Sequence, residues 1–348
     1  MKKLIVVLAV FAMLGAFTTS AMAADWAFYG NARMSTFYEA RGTDDFGGVS
    51  TVDDNQFKTR LQGNSRIGAN VKHDSVKGGF EYGTGVNVRK LFGEWNFGSG
   101  KLLAGQTYTP VTFFYSGQVW DYDLGLLDSG AAYGGRRGML QLTFGDFKIA
   151  AIQPVSSTGG LASTQVQEAL PRLEASWSMS TDQFNFDLFG GYQSYEIEST
   201  SAAITTDIDV TSYILGLSGK VNFGAGWLAG GASFYQNGDS AGWLGGGSPT
   251  FNATLTDTND NDAWMGFLAA GFKASDMASF ELGFGYRKFD WDNTDLTQEK
   301  TTIYLNSVLN LGPGVFVIPE IGWVDFDNDN ASADTDLFYL GAKWQINF

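Results

Sequence analysis

Six basic and three acidic side chains carry most of the chemistry open to this sequence. Arg33, Lys58, Arg60 and Arg66 come from the first two alternating segments, Arg89 from the fourth and Arg137 from the sixth. Lys58, Arg60 and Arg66 are even numbers apart, so on an extended chain they share one face. Parity also sends Arg33 and Arg137 to that side and leaves Arg89 undecided. Asp121, Asp123 and Asp128 lie in one connection, 111–135. It is too long for a passive hairpin loop and too apolar for a disordered one. If it folds back over the bases, acids face bases across a narrow gap. Such a transverse field orients polar solutes and repels apolar ones. The plainer alternatives are bases spread along a wet wall and acids in an exposed outer loop. The origin of the bases in neighbouring early segments favours the gap.

Other chemistry finds little footing. Nucleophilic catalysis of the Ser-His kind needs a histidine beside its serine. The chain has one, His73, in a polar turn next to Asp74. Cysteine is absent, so thiolate chemistry, disulfides and the usual zinc sites are not expected. Gly245-Gly246-Gly247 lacks the strand-to-helix setting of a phosphate loop and reads as a mobile outer loop. The acidic runs 257–262 and 325–336 lack the spaced ligands of a dedicated calcium loop and read as solvated. A net charge of −15 argues against nucleic acid as a partner. No enzyme and no cofactor are expected.

The elements that must hold the bases are strands. In 56–72, Phe57, Thr59, Leu61, Ser65, Ile67, Ala69 and Val71 alternate with Gln56, Lys58, Arg60, Gln62, Asn64, Arg66, Asn70 and Lys72. A soluble core does not take four cations on its buried face. In lipid each would cost about 2–4 kcal/mol near the midplane. The polar face must therefore look onto water enclosed by the protein. The last twelve residues repeat the pattern, with Phe338, Leu340, Ala342, Trp344, Ile346 and Phe348 on one side. A terminal strand that ends on an aromatic ring needs a partner strand and an apolar surround. A closed barrel in a bilayer supplies both.

Lys2 and Lys3, the apolar run 4–17 and Ala21-Met22-Ala23 together read as a signal peptide covering 1–23. The rest, 24–348, is expected to be one barrel domain. It contains no further apolar run of membrane-helix length, and a barrel is the other structure that satisfies its backbone in lipid. Aromatics at 15% and charged residues at 17% suit a lipid belt around a wet lumen. The spacing predicts sixteen antiparallel strands, with short turns at one end, long loops at the other, and aromatics such as Trp26, Trp95, Trp177 and Trp344 near the short-turn rim. Pro319 falls mid-strand, where a bulge or a later strand start is expected.

The chain resembles the Gram-negative general porins. The resemblance rests on the leader, on Phe348 behind Trp344 and Ile346, on the hairpin Gly98-Ser99-Gly100, and on the following Leu103-Ala104-Gly105-Gln106-Thr107-Tyr108-Thr109-Pro110. It implies a homotrimer in the outer membrane, a third loop folded into the lumen as 111–135, and a basic cluster opposite that loop matched by Arg33, Arg60, Arg89 and Arg137. It also implies that the assembly machinery reads Phe348 and Trp344. Two departures stand out. Gln106 replaces the arginine common in that segment, and the second outer loop near 83–85 is very short. Small outward residues Gly30, Ala32, Gly63, Ser65 and Ala69 offer a flat subunit contact in its place.

The expected function is passive diffusion of small hydrophilic solutes and ions, with a modest cation preference from the acidic exterior, tempered by the basic wall. A sugar- or oxyanion-specific channel is the alternative, motivated by Trp120 and Tyr122. A plugged structural or adhesive barrel is the third reading.

Overall fold

The computed structural model describes residues 24–44, 54–158, 164–201, 204–251, 257–292, 297–328 and 334–348. The expected signal peptide, 1–23, and residues 329–333 of the acidic run 325–336 lie outside them. The chain forms a closed antiparallel barrel of sixteen strands. In order these are β1 (Asp25–Asp44), β2 (Asp54–Leu61 and Arg66–His73), β3 (Val76–Gly83), β4 (Val88–Asn96), β5 (Lys101–Tyr108), β6 (Arg136–Phe144), β7 (Phe147–Ile152) and β8 (Thr164–Gln167 and Arg172–Ser180). There follow β9 (Phe184–Ser201), β10 (Ile204–Phe223), β11 (Gly226–Gln236), β12 (Asn261–Lys273), β13 (Ala278–Trp291), β14 (Thr297–Gly312), β15 (Val315–Asn328) and β16 (Asp334–Asn347).

Closure is made by β1 pairing with β16, Met34 opposite Trp344 and Phe37 opposite Gly341. The last rung joins Gly30 and Phe348, with N–H···O contacts of 2.7 and 3.0 Å. A Cβ at Gly30 would lie 2.5 Å from the Phe348 ring, so a larger residue there would have to displace that ring. That ring covers part of the flat contact face expected from the small residues, and Ser65 and Ala69 are buried as well. Trp26 pairs with Val71 of β2, eight positions along β1 from the rung of Trp344, so the two tryptophans are not neighbours across the seam.

The outer surface carries exposed Phe28, Phe57, Leu215, Trp264 and Leu268 among many other large apolar side chains. Exposure on this scale requires lipid. A closed, even-stranded barrel with such a belt is a Gram-negative outer-membrane protein.

Two bulges depart from simple alternation. In β2 the step from Leu61 to Ile67 is matched on β1 by the shorter step from Met34 to Gly30, so two extra residues are accommodated. Because the excess is even, the faces on both sides agree, as the alternation predicts. In β4, Lys90 pairs with Glu81 and Val88 with Tyr82, which makes Arg89 the extra residue. Val88 and Leu91 are exposed outside while Arg89 is buried within, which resolves its undecided parity. Pro319 has no bulge: the β14–β15 register is the same on both sides of it, and only the rungs at Ser307 and Val308 are missing. The register shift lies nearer the turn, between Asn310 and Gly312.

We number the outer loops in chain order. Loop 3 (residues 109–135) and the first part of loop 6 (residues 237–251) both turn inward. Trp120, Leu126 and Leu127 of loop 3 pack with Phe37, Ile318, Val324 and Tyr339 of the wall. Val111 and Ala132 of loop 3 pack with Trp243 of loop 6 and with Ile214, Tyr235 and Phe289. Loop 6 is therefore no mobile outer loop in its glycine-rich part. Gly245 lies against the Asp128 backbone, where a Cβ would come within 3.2 Å.

Candidate functional site: the lumen around loop 3

The late strands hold loop 3 by its backbone. Glu320 of β15 accepts the N–H groups of Val119 and Trp120 at 2.7 and 2.8 Å, and Glu281 of β13 accepts that of Gly117 at 2.5 Å. Asn306 of β14 joins the Gly117 carbonyl to Glu320, at 2.8 and 3.0 Å. A loop has unpaired N–H groups, and carboxylates on the wall satisfy them.

At its tip loop 3 makes a short helical turn, Trp120–Asp123. Asp121, Tyr122 and Asp123 have φ of 48°, 65° and 60°. Left-handed backbone costs an L-residue about 1–2 kcal/mol. The cost is opposed by a dense set of contacts. Trp120 stacks on Tyr339 of β16 with ring centroids 4.7 Å apart, and its Nε1 donates to Glu39 of β1 at 3.3 Å. Asp123 pairs with Arg33 of β1 at 2.5 Å and with Lys343 of β16 at 2.9 Å. Asn64, carried by the β2 bulge, donates to Asp123 at 2.8 Å and to the Tyr122 carbonyl at 3.0 Å.

The structure brings the three acids of loop 3 to three different settings. Asp123 meets Arg33. Asp121 lines the open lumen. Its carboxyl is raised above the ordinary range by burial, with Asp128 and Glu39 adding to the rise and Arg60 opposing it. Asp128 turns away from the early bases and pairs with Lys300 of β14, while Arg287 of β13 donates to its carbonyl at 3.1 Å. The placement of Asp128 opposite the early strands therefore does not hold, because the chain reverses direction at Gly125 and Leu126, both with positive φ.

The bases are also distributed. Arg33, Arg66 and Arg89 line a lumen cavity of about 490 Å³, with Arg136 and Lys343. Arg66 and Arg89 share Glu81 of β3 at 3.5 and 2.7 Å, and Tyr29 donates to the same carboxylate at 3.0 Å. Lys58 pairs with Glu39 outside that cavity. Arg60 lies over the Tyr122 ring, 5.8 Å from its centroid. Arg137 faces a second cavity, beside loop 6. Gln106, in the place of an arginine, donates to the Val88 carbonyl at 2.7 Å, next to the β4 bulge. His73 lies in an exposed turn, 3.6 Å from Asp74. Among the described residues no group of three or more His, Asp or Glu side chains is placed to hold a metal ion.

The sequence reading missed Lys343, Lys300 and Arg136 as lumen residues. Lys343 could have been found, since it alternates with the apolar set of the last strand. It also missed the tie between loops 3 and 6. Arg172 and Glu174 of β8, paired at 3.2 Å and fully buried, grip both. Glu174 accepts Val111 N–H of loop 3 at 2.9 Å and Trp243 Nε1 of loop 6 at 2.8 Å. Arg172 donates to Gly134 O of loop 3 at 3.2 Å and to Ala241 O of loop 6. Trp120 and Tyr122, the expected sugar-stacking pair, are taken up by Tyr339 and Arg60.

No family model matches this chain, and no curated protein matches it. Solved structures do. The chain is similar to the outer membrane channel DcaP of Acinetobacter baumannii, with a TM-score of 0.75 at 16% identity, covering 95% of this chain and 99% of that one. OmpT, an outer membrane protein of Vibrio cholerae, aligns with a TM-score of 0.55 at 17% identity over 94% of this chain and 99% of its own. OmpF of Salmonella typhi, solved with daunomycin, aligns with a TM-score of 0.53 at 13% identity over 92% and 97%. The fold is that of outer-membrane channels and porins.

Proposed function

We propose that this protein is a non-enzymatic outer-membrane channel through which small hydrophilic solutes diffuse, anions in preference to cations. The observation that carries the reading is the charge on the narrow cavity beside loop 3. Five cationic side chains line it, Arg33, Arg66, Arg89, Arg136 and Lys343, against two carboxylates, Asp121 and Asp123. Counting Glu81 behind Arg66 and Arg89 still leaves the bases in excess. In a confined, low-dielectric passage the nearest charges dominate over the acidic exterior. This favours anions and reverses the preference suggested by net charge alone.

The assembly is a homotrimer on this reading. OmpT of Vibrio cholerae has been solved in a trimer form, at a TM-score of 0.54. A leader at 1–23 delivers the barrel, 24–348, and the assembly machinery recognises Phe348 and Trp344. Purified protein in a planar bilayer should give open channels whose reversal potential in a salt gradient reports anion preference. Silent membranes would leave the plugged structural barrel as the better account. Saturable block by one oxyanion would move the reading to a dedicated oxyanion channel.

A further inference from the structure

We infer that loop 6 builds a second neck above the one formed by loop 3, so that entry is screened twice. The inference rests on the channel reading. The neck consists of Leu244 from loop 6, Tyr133 from loop 3 and Arg136 at the start of β6. These three residues line both lumen cavities: the one of about 490 Å³ beside the loop 3 tip, and another of about 430 Å³ under loop 6. They are the place where the two meet.

The geometry gives the neck fixed walls. The Leu244 N–H donates to the Tyr133 carbonyl at 3.0 Å, so loop 6 is bonded to loop 3 at the neck itself. One residue before it, Trp243 is fully buried, bonded through Nε1 to Glu174 and lying under the Arg172 guanidinium. One residue after it, Gly245 adopts φ 76° and sits against the Asp128 backbone. Leu244 is thus an apolar side chain held between two anchored neighbours, and it remains partly exposed to the cavities. Opposite it, Arg136 donates to the Tyr108 hydroxyl at 3.1 Å and lies over that ring, which fixes the guanidinium in place.

The outer cavity carries its own charge. Arg137 reaches toward Gly242 of loop 6, where a Cβ would come within 3.0 Å of its Nη2. Asp239 is the one carboxylate lining this cavity, and burial raises its carboxyl above the ordinary range. A small carboxylate or phosphate ester therefore meets Arg137 first, passes Arg136 at the neck and reaches Arg89 and Arg66 below. The guanidiniums present donors in series, so an anion exchanges one partner for the next without returning to bulk water. Loop 6 decides which solutes begin that sequence.

The chain has no cysteine, so a single introduced thiol reports alone. Leu244→Cys is inserted into planar bilayers and treated on both sides with two methanethiosulfonate reagents, one carrying a sulfonate and one a trimethylammonium. Asp182→Cys, in the short turn between β8 and β9, is the control site. Both reagents should remove most of the Leu244→Cys current by bulk. In what remains, the sulfonate adduct should lower anion preference and the trimethylammonium adduct should raise it. The control should keep its current. Unchanged current and selectivity in Leu244→Cys channels whose labelling is verified by mass would overturn the neck. A wild type that never conducts would instead overturn the channel reading and the neck with it. Arg137→Gln supplies a test free of the thiol: its reversal potential should move toward zero with conductance largely kept. An unchanged potential would remove the outer cavity from the path of the ion.

Discussion

The late wall of the lumen and the early wall face each other across loop 3 and do opposite work with charge. On the late side, Glu281 and Glu320 accept backbone N–H groups of the loop. On the early side, Arg66, Arg89 and Arg136 line open space. A carboxylate is an acceptor only, and a guanidinium a donor only. Exposed loop N–H groups can be satisfied by the first and never by the second. The backbone N–H groups of loop 3 are therefore held by carboxylates of the late wall, its acidic side chains by cations such as Arg33, Lys300 and Lys343, and Arg66, Arg89 and Arg136 are left to meet solutes.

The two walls join at the β1–β16 seam, and the largest expected effect lies there. Removing Phe348 takes away the last rung to Gly30 and should sharply reduce the yield of inserted barrel. Molecules that do insert should conduct normally, as heat-modifiable mobility and bilayer recordings on the same preparation would show. Next comes the gripping wall. Glu320→Ala strands two buried N–H groups, each hydrogen bond to a charged group being worth about 1.5–3 kcal/mol. Larger, noisier channels and a lower unfolding temperature should follow, and quiet channels of unchanged size would break the contrast between the walls.

The solute-facing wall gives a smaller effect of a different kind. Arg66→Gln combined with Arg89→Gln should lower the anion-to-cation permeability ratio several-fold while leaving the barrel able to insert. Its reversal potential in a salt gradient is the measurement, and a potential equal to that of wild type would show that these bases are structural. The smallest effect is the pH response of Asp121. Its raised carboxyl takes up a proton while ordinary carboxylates, near 3.9 for aspartate, are still ionised. Protonation removes a negative charge from the lumen, so anion preference should rise as pH falls below neutral. Asp121→Asn should erase the early part of that rise.

The barrel was legible because alternation survives wherever water and lipid lie on opposite faces. β2 and β16 carry it residue by residue. What alternation cannot report is an inserted residue. The excess in β2 is even and invisible, whereas the excess at Arg89 is odd and shows only as ambiguity. Pro319 misled in the other direction: a missing N–H was accommodated by losing two rungs with no change of register. The inward turn of loop 3 was readable from its length and apolarity. That of loop 6 was not, since Gly245-Gly246-Gly247 serves close backbone approach as well as it would serve freedom. Trp120 looked available for a sugar because a single sequence does not show that Tyr339 lies beneath it.

Asp123 touches Arg33 on the first strand and Lys343 on the last, although it belongs to a loop made a third of the way along the chain. The consequence is one of order in time. The tip of loop 3 cannot be fully clamped until β16 has arrived, because Lys343 and Tyr339 belong to that strand. The filter is finished by the same event that seals the wall.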